Sequence, residues 1–176
     1  MEIFTAGHSN RSATELVALL AEASVSCVAD VRRFPVSRRF PQHSRARLEA
    51  ELERAGIRYV FLGDALGGRR ESTGPIESSR NGAWRDPALR AFADALDSPA
   101  LEAGLVALEL LARAGPSAVL CAERDWRSCH RQILADVLVA RGWRVVHLVR
   151  PGEREEHRLH ASGRVTGGRL SYPSLL

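Results

Sequence analysis

Short apolar runs alternate with stretches of helical periodicity along most of the chain. EIFTAG is a short run ending at Gly7 and His8, and it predicts a first strand. Ser12 and Glu15 have the spacing of a capping box, and Leu16, Leu19 and Leu20 share one face of the helix TELVALLAEA. VSCVADV is almost continuously apolar, as buried parallel strands are. A basic loop with two prolines runs from Arg32 to Arg45, and a helix from Arg45 to Ala55 stops at Gly56. IRYVFLG predicts a third strand. The next stretch, GDALGGRRESTGPIESSRNGAW, is polar and irregular; a loop that long inside a compact domain is functional or mobile. Helices are predicted over Pro87 to Ser98 and Pro99 to Ala114. A fourth strand, PSAVLCAE, leads to the helix CHRQILADVLVAR, with Ile133, Leu134, Val137 and Leu138 inward. WRVVHLV predicts a fifth strand, and a polar tail follows from Pro151.

This order predicts an α/β fold, a single-domain three-layer sandwich over residues 1–176 with a mainly parallel sheet of about five strands. The polar C-terminal extension, 150–176, is expected to pack on or near the site.

Composition changes this picture only at a few points. With 176 residues and 45% hydrophobic content, the chain can bury a substantial core, which excludes a disordered or fibrous protein. No apolar run approaches the ~20 residues of a membrane span, and MEIFTAGHSN lacks the basic start and apolar stretch of a signal peptide. The expected location is the cytoplasm, with no membrane partner. The three cysteines, Cys27, Cys121 and Cys129, do not form a disulfide framework, and Cys27 belongs to an apolar strand. Net charge is +4, and every one of the 25 basic residues is arginine. A GC-rich genome accounts for that bias at large, so only clusters of arginine are informative.

In sheets of this kind, ligands bind outside the carboxyl ends of the strands. The first strand ends at His8, Ser9 and Asn10, and the second at Asp30, Arg32 and Arg33. The third leads through Gly63 and Asp64 into Gly67-Gly68-Arg69-Arg70, and the fourth ends at Cys121 and Glu123. The most reactive groups of the chain are thereby expected along one edge.

Two stretches carry the densest chemistry. In CAERDWRSCHRQ, a strand–loop–helix order makes Ser128, Cys129, His130 and Arg131 the first turn of a helix, where unpaired N–H groups favour an anion. Cys129, beside His130 and Arg131, is expected to have a lowered pKa. In DVRRFPVSRRFPQHSRARLE, the unit RRFP occurs at Arg32 and again at Arg38, next to Arg39. Arginines interleaved with aromatic rings suit phosphates and exposed bases, and equally suit a solvated loop with its phenylalanines tucked inward. Gly67-Gly68-Arg69-Arg70 resembles a glycine nest for an anion. Trp84, Trp126 and Tyr172 are candidates to stack on a base or close the cleft, whereas Trp143 and His147 read as core.

Three functional readings follow. A thiol nucleophile of the phosphatase type fits the Cys-x5-Arg spacing of Cys121 and Arg127, but Glu123 and Asp125 would repel a phosphate there. A metal or redox site would use Cys121, Cys129 and His130, with His8 as a further candidate ligand, although their spacing is not a standard zinc pattern. A hydrolytic site would use Asp30 or Glu123 as general base or ligand of a divalent ion. His8 and His130 would then move protons. Ser9, Asn10, Arg32, Arg33, Arg38, Arg39, Arg69, Arg70 and Arg131 would hold phosphate. A structural account of the same residues puts Cys121 in the core and pairs Glu123 with Arg131 or Arg33.

Several pieces together, TAGHSNRS, DVRRFPVSRRFPQ, LGGRR, LCAERDWRSCHRQILADVL, VVHLV and GGRLSYP, resemble the bacterial family catalogued as domain of unknown function 488. The resemblance runs from the first strand to the C-terminus, with Ala6 where an aliphatic residue often stands. It implies an α/β domain with its motifs at one edge, and it carries over to His8, Ser9, Asn10, Asp30, Arg32, Arg33, Cys121, Glu123, Cys129, His130 and Arg131. It does not imply a reaction. The leading expectation is hydrolysis of a phosphate-bearing substrate, a nucleic acid or nucleotide, with catalysis by His8, Asp30, Glu123, Cys129 and His130. The alternatives are a non-catalytic nucleic-acid-binding module and a Cys/His metal or redox site. Cofactor identity, beyond a possible divalent metal ion, and oligomeric state stay open.

Overall fold

A computed structural model describes residues 1–36, 40–71 and 74–174. Strand β1 (Glu2–Gly7) leads to helix α1 (Ala13–Glu22), whose capping box is formed: Ser12 Oγ accepts from Glu15 N–H at 3.1 Å, and Glu15 accepts from Ser12 N–H at 2.6 Å. Strand β2 (Cys27–Asp30), helix α2 (Arg45–Arg54) and strand β3 (Arg58–Phe61) follow. Gly56, at φ 72°, closes the α2 turn in a conformation that favours glycine. After the short helix α3 (Gly63–Leu66) come α4 (Pro87–Asp94) and α5 (Pro99–Ala114), each with proline in its first turn. Strand β4 (Ser117–Cys121), helix α6 (Arg131–Ala140) and strand β5 (Arg144–Arg150) complete the central α/β units.

The tail is not irregular. It adds strand β6 (Glu153–Glu156) antiparallel to β5 and a small ribbon of β7 (Arg164–Thr166) and β8 (Arg169–Ser171). The main sheet therefore has six strands, in the order β3-β2-β4-β1-β5-β6, and is parallel except at the β6 edge. Alternating charges made β6 unreadable as a strand, because an edge needs no apolar face.

Alternation along the strands builds two apolar layers. Phe4, Ala6, Val28, Ala118 and Leu120 pack on Leu16, Leu19 and Leu20 of α1 and on Leu48 and Leu52 of α2. Ile3, Ala29, Val31, Val119 and Val145 pack on Leu101, Leu105 and Leu108 of α5 and on Ile133, Leu134 and Leu138 of α6. Each of these buried leucines contributes about 1.5–3 kcal/mol relative to exposure. No helix among the described residues is long and apolar enough to cross a membrane.

Candidate functional site

Parallel pairing aligns the strand ends. Gly7 lies beside Cys121, and Asp30 beside Leu120. The pairing continues one step, with His8 N–H donating to Cys121 O at 3.0 Å and Ser9 N–H to Ala122 O at 2.8 Å. Helix α1 leaves β1 toward one face of the sheet, and α6 leaves the neighbouring β4 toward the other. The loops part between these two strands, which opens a crevice at the carboxyl edge. It is a cleft of about 1050 Å³, lined by His8, Ser9, Asn10, Arg32, Arg33, Arg69, Cys121, Glu123, Cys129 and His130 among others. Asp30, Arg70 and Arg131 do not line it. Arg38 and Arg39 lie outside the described residues.

The pleat divides these groups between the two faces. Val28 faces α1 and α2, whereas Ala29 and Cys121 face the α5–α6 layer. Asp30 therefore points the same way as Val28 and away from Cys121. Its fully buried carboxylate accepts from Arg32 N–H at 3.0 Å, Arg32 Nε at 2.9 Å, Arg32 Nη2 at 2.5 Å and Tyr59 O–H at 2.7 Å. Arg32 also donates to His43 O at 2.7 Å and lies 3.0 Å from His8 Nε2. A guanidinium only donates, so His8 Nε2 accepts, and Nδ1–H donates to Ser9 O at 3.0 Å. Burial, and then the Arg32 charge, lower the His8 pKa to about 3, so the ring is neutral. Asp30 and His8 are thus occupied. The roles expected of Asp30 as base or metal ligand, of His8 as proton carrier and of Arg32 as phosphate holder give way to one role: bracing the cleft wall.

Cys121, Cys129 and His130 meet on the other face. A single 3₁₀ turn, Trp126–Ser128, opened by Asp125 accepting from Arg127 N–H at 3.0 Å, carries the chain across the end of β4 and back. Cys129 is extended and His130 caps the helix, so α6 starts at Arg131, after the cysteine rather than with it. The three side chains are 6%, 7% and 7% exposed, and their donor atoms lie within 4.8 Å of one another. Of the two thiols, Cys121 is the one held lower: the adjacent Cys129, the Arg131 charge and the backbone N–H groups of Glu123 and Ala122 lower its pKa to about 7, outweighing burial. Cys129 is pushed up by the adjacent Cys121 sulfur and by burial, which reverses the expectation for that residue. Helix position alone could not show which sulfur collects the donors.

Buried Arg131 donates to Glu123 O and Arg124 O, and its Nε reaches Cys129 Sγ at 3.3 Å. It supports the loop rather than facing a ligand. Gly68 lies against the His130 ring, where a Cβ would stand 2.3 Å from Nδ1. Gly67 N–H donates to Gly63 O, so the glycine pair serves close packing and not an anion nest. Arg70 turns inward onto Ala65 O and Gly67 O.

The rim is basic. Arg69 is exposed, Arg33 donates to Asp64 O at 2.7 Å, and Arg124, which sequence reasoning passed over, donates to Asn10 Oδ1 at 3.1 Å. Its position directly after Glu123 was the available signal. Glu123 is exposed at the mouth, and its carboxylate has no partner among the described residues. Phe34 is 64% exposed beside the arginines. Ser9 holds φ 45°, a left-handed conformation uncommon for a residue with a side chain and frequent where function requires it.

Other expected residues lie elsewhere. Arg127 pairs with Glu155 and stacks 4.2 Å over Trp126, away from the cleft, so the Cys-x5-Arg arrangement of a phosphatase loop is not formed. Trp84, Trp126 and Tyr172 are buried and do not line the cleft. The C-terminal extension packs against β5, α6 and the Trp126–Arg127 turn, and none of its described residues lines the cleft. Tyr172 O–H donates to Asp136 Oδ2 at 2.7 Å, and His157 Nε2 lies 2.8 Å from Asp136 Oδ1. His157 Nδ1 is 2.9 Å from His147 Nε2, and His147 Nδ1 is 2.7 Å from Thr5 Oγ1.

The fold defines an α/β protein with a cleft at the carboxyl edge of a mostly parallel sheet. Within that class the chain belongs to the family described as domain of unknown function DUF488, whose model matches residues 12–138. The match takes in the basic loop and the CAERDWRSCHRQ stretch, while TAGHSN, VVHLV and GGRLSYP fall outside it. No curated protein and no solved structure matches the chain.

Proposed function

We propose that the cleft is the active site of a hydrolase acting on a phosphate-bearing substrate, a nucleotide or a nucleic-acid strand, in the cytoplasm. One observation carries this reading: a single cleft sets an unpaired carboxylate, Glu123, between a rim of Arg33, Arg69 and Arg124 and a floor of buried thiols and imidazole. Arginine forks suit phosphate oxygens, and the exposed Phe34 ring offers a base a surface to stack on. Glu123 accepts a proton from water as the water oxygen bonds to phosphorus. The phosphorus–oxygen bond to the leaving group breaks, and the leaving oxygen takes a proton from solvent. Asp30 braces Arg32 in the wall of the same cleft.

The test is hydrolysis of a panel of nucleotides and short oligonucleotides, with binding measured on the same samples. Glu123→Gln is expected to abolish turnover and keep binding. Arg69→Ala is expected to weaken binding and to flatten its dependence on salt. Binding that falls steeply with salt, with no turnover on any substrate, would replace this reading with a nucleic-acid-binding module.

A further inference from the structure

We infer that Cys121, Cys129 and His130 form a binding site for a zinc-class divalent ion on the cleft floor, with one coordination position left toward the cleft. The inference builds on the hydrolytic reading of the cleft for what the ion does there, and on geometry alone for its existence.

Three independent features point to the ion. The first is spacing. Zinc–sulfur bonds of about 2.3 Å and zinc–nitrogen bonds of about 2.0–2.1 Å in a tetrahedron put donor atoms about 3.5–3.8 Å apart. The donors here lie within 4.8 Å of one another, and Cys121 Sγ is 4.0 Å from His130 Nδ1, so a small inward rotation of side chains closes the set. The second is the state of the imidazole. His130 is 7% exposed, its Nε2 makes no hydrogen bond of ordinary geometry, with the Val31 backbone the polar group beside the ring, and its Nδ1 lies against Gly68 and 4.0 Å from the Cys121 sulfur. A buried histidine normally has both nitrogens engaged, as His8, His147 and His157 do; buried His43, whose Nδ1 is also unpartnered, shares the feature but has no thiols beside it.

The third feature is charge. Arg131 is 2% exposed and has no carboxylate partner among the described residues. Its Nε donates to Cys129 Sγ at 3.3 Å. Donors aimed at sulfur are the surroundings that metal-bound thiolates need. On binding, two sulfur–metal bonds form and the thiol protons leave to solvent. Two thiolates and one imidazole select a borderline-soft ion over magnesium or calcium, and three protein ligands with an open position are the pattern of a catalytic rather than a structural zinc site. Such an ion can polarise a substrate oxygen or a water beside Glu123.

The experiment is titration of the reduced, chelator-treated full chain with Co²⁺ and Zn²⁺, with absorbance and metal content as readouts. Wild type is expected to bind one ion per chain and to show the intense near-ultraviolet thiolate-to-cobalt band, which Zn²⁺ then removes. Cys129→Ser and His130→Gln are each expected to lose stoichiometric binding, while Cys27→Ala, whose sulfur lies in β2 outside the cluster, keeps it. Circular dichroism confirms that each variant is folded. Absence of the cobalt band in wild type, its persistence in folded Cys129→Ser, or a Cys121–Cys129 disulfide formed in place of metal uptake would each overturn the site. Arg69→Ala separates the two readings, because it leaves the cobalt band intact while weakening the nucleotide. A cobalt band with no hydrolysis of any phosphate ester sinks the hydrolase alone. Hydrolysis by a wild type that shows no cobalt band sinks the metal site alone.

Discussion

Two polar clusters sit back to back at the same sheet edge, one on each face. In Asp30–Arg32–His8, every side-chain donor and acceptor that reaches the interior has a partner, and the charges cancel. In Cys121–Cys129–His130, a buried nitrogen has none, and the nearest cation, Arg131, faces sulfur instead of a carboxylate. Buried polar groups left unsatisfied cost stability, so a fold keeps them where another requirement outweighs that cost. Saturation marks the first cluster as a brace. Incompleteness in the second is where the ion proposed above would bind.

The comparison breaks most decisively at Asp30. Asp30→Ala strands the buried Arg32 guanidinium and Tyr59 hydroxyl and is expected to cost about 3–5 kcal/mol. Urea denaturation measures it. If the loss is below about 1 kcal/mol, the cluster is not the brace described. Gly68→Ala is the sharper probe of the other cluster. The new methyl overlaps the His130 ring, so we expect a stability loss of about 1–3 kcal/mol together with loss of the cobalt band. Loss of stability with an unchanged cobalt band would show that the ion does not depend on His130.

Acid separates a saturated histidine from an ordinary one. His147, enclosed by Thr5, Trp126 and His157 with Arg131 and Arg127 nearby, is lowered to about 2 by burial and by those charges. It stays neutral in the fold but binds a proton in the unfolded chain below its ordinary value of 6.5. Its contribution is therefore complete above that pH and shrinks as pH falls toward 2, by up to about 1.4 kcal/mol per unit. Urea midpoints between pH 7.5 and pH 5 should fall, and His147→Gln should flatten the fall; an equal slope in that variant excludes His147 as the source. The smallest stability effect belongs to the rim. Arg69→Ala is expected to shift stability by less than about 0.5 kcal/mol while weakening nucleotide binding, as measured by thermal melting and titration.

Much of the cleft was legible because parallel strands share one polarity. Once EIFTAG, VSCVADV and PSAVLCAE read as strands, their following residues had to collect at one edge. What strand ends do not reveal is the face. Asp30 and Cys121 differ by one step of the pleat relative to each other across the register, and that parity sends one to α2 and the other to α6. Tyr59 and His43 carried no local signal, since they act only through Asp30 and Arg32, distant in sequence. Asp136 looked like a polar interruption of a helix until Tyr172 and His157 of the tail met it.

The sequence by itself determined the α/β class, the capping of α1, the glycine stop of α2 and the gathering of His8, Cys121, Glu123 and His130 at one edge. These follow from periodicity and from short-range chemistry, which a chain carries in its order. Only the tertiary structure decided which thiol is held lower, which arginines face the cleft and which are consumed inside. Those outcomes depend on who donates to whom across the sheet, and donors such as Arg131 and Tyr59 reach their partners only after the register and the pleat are set.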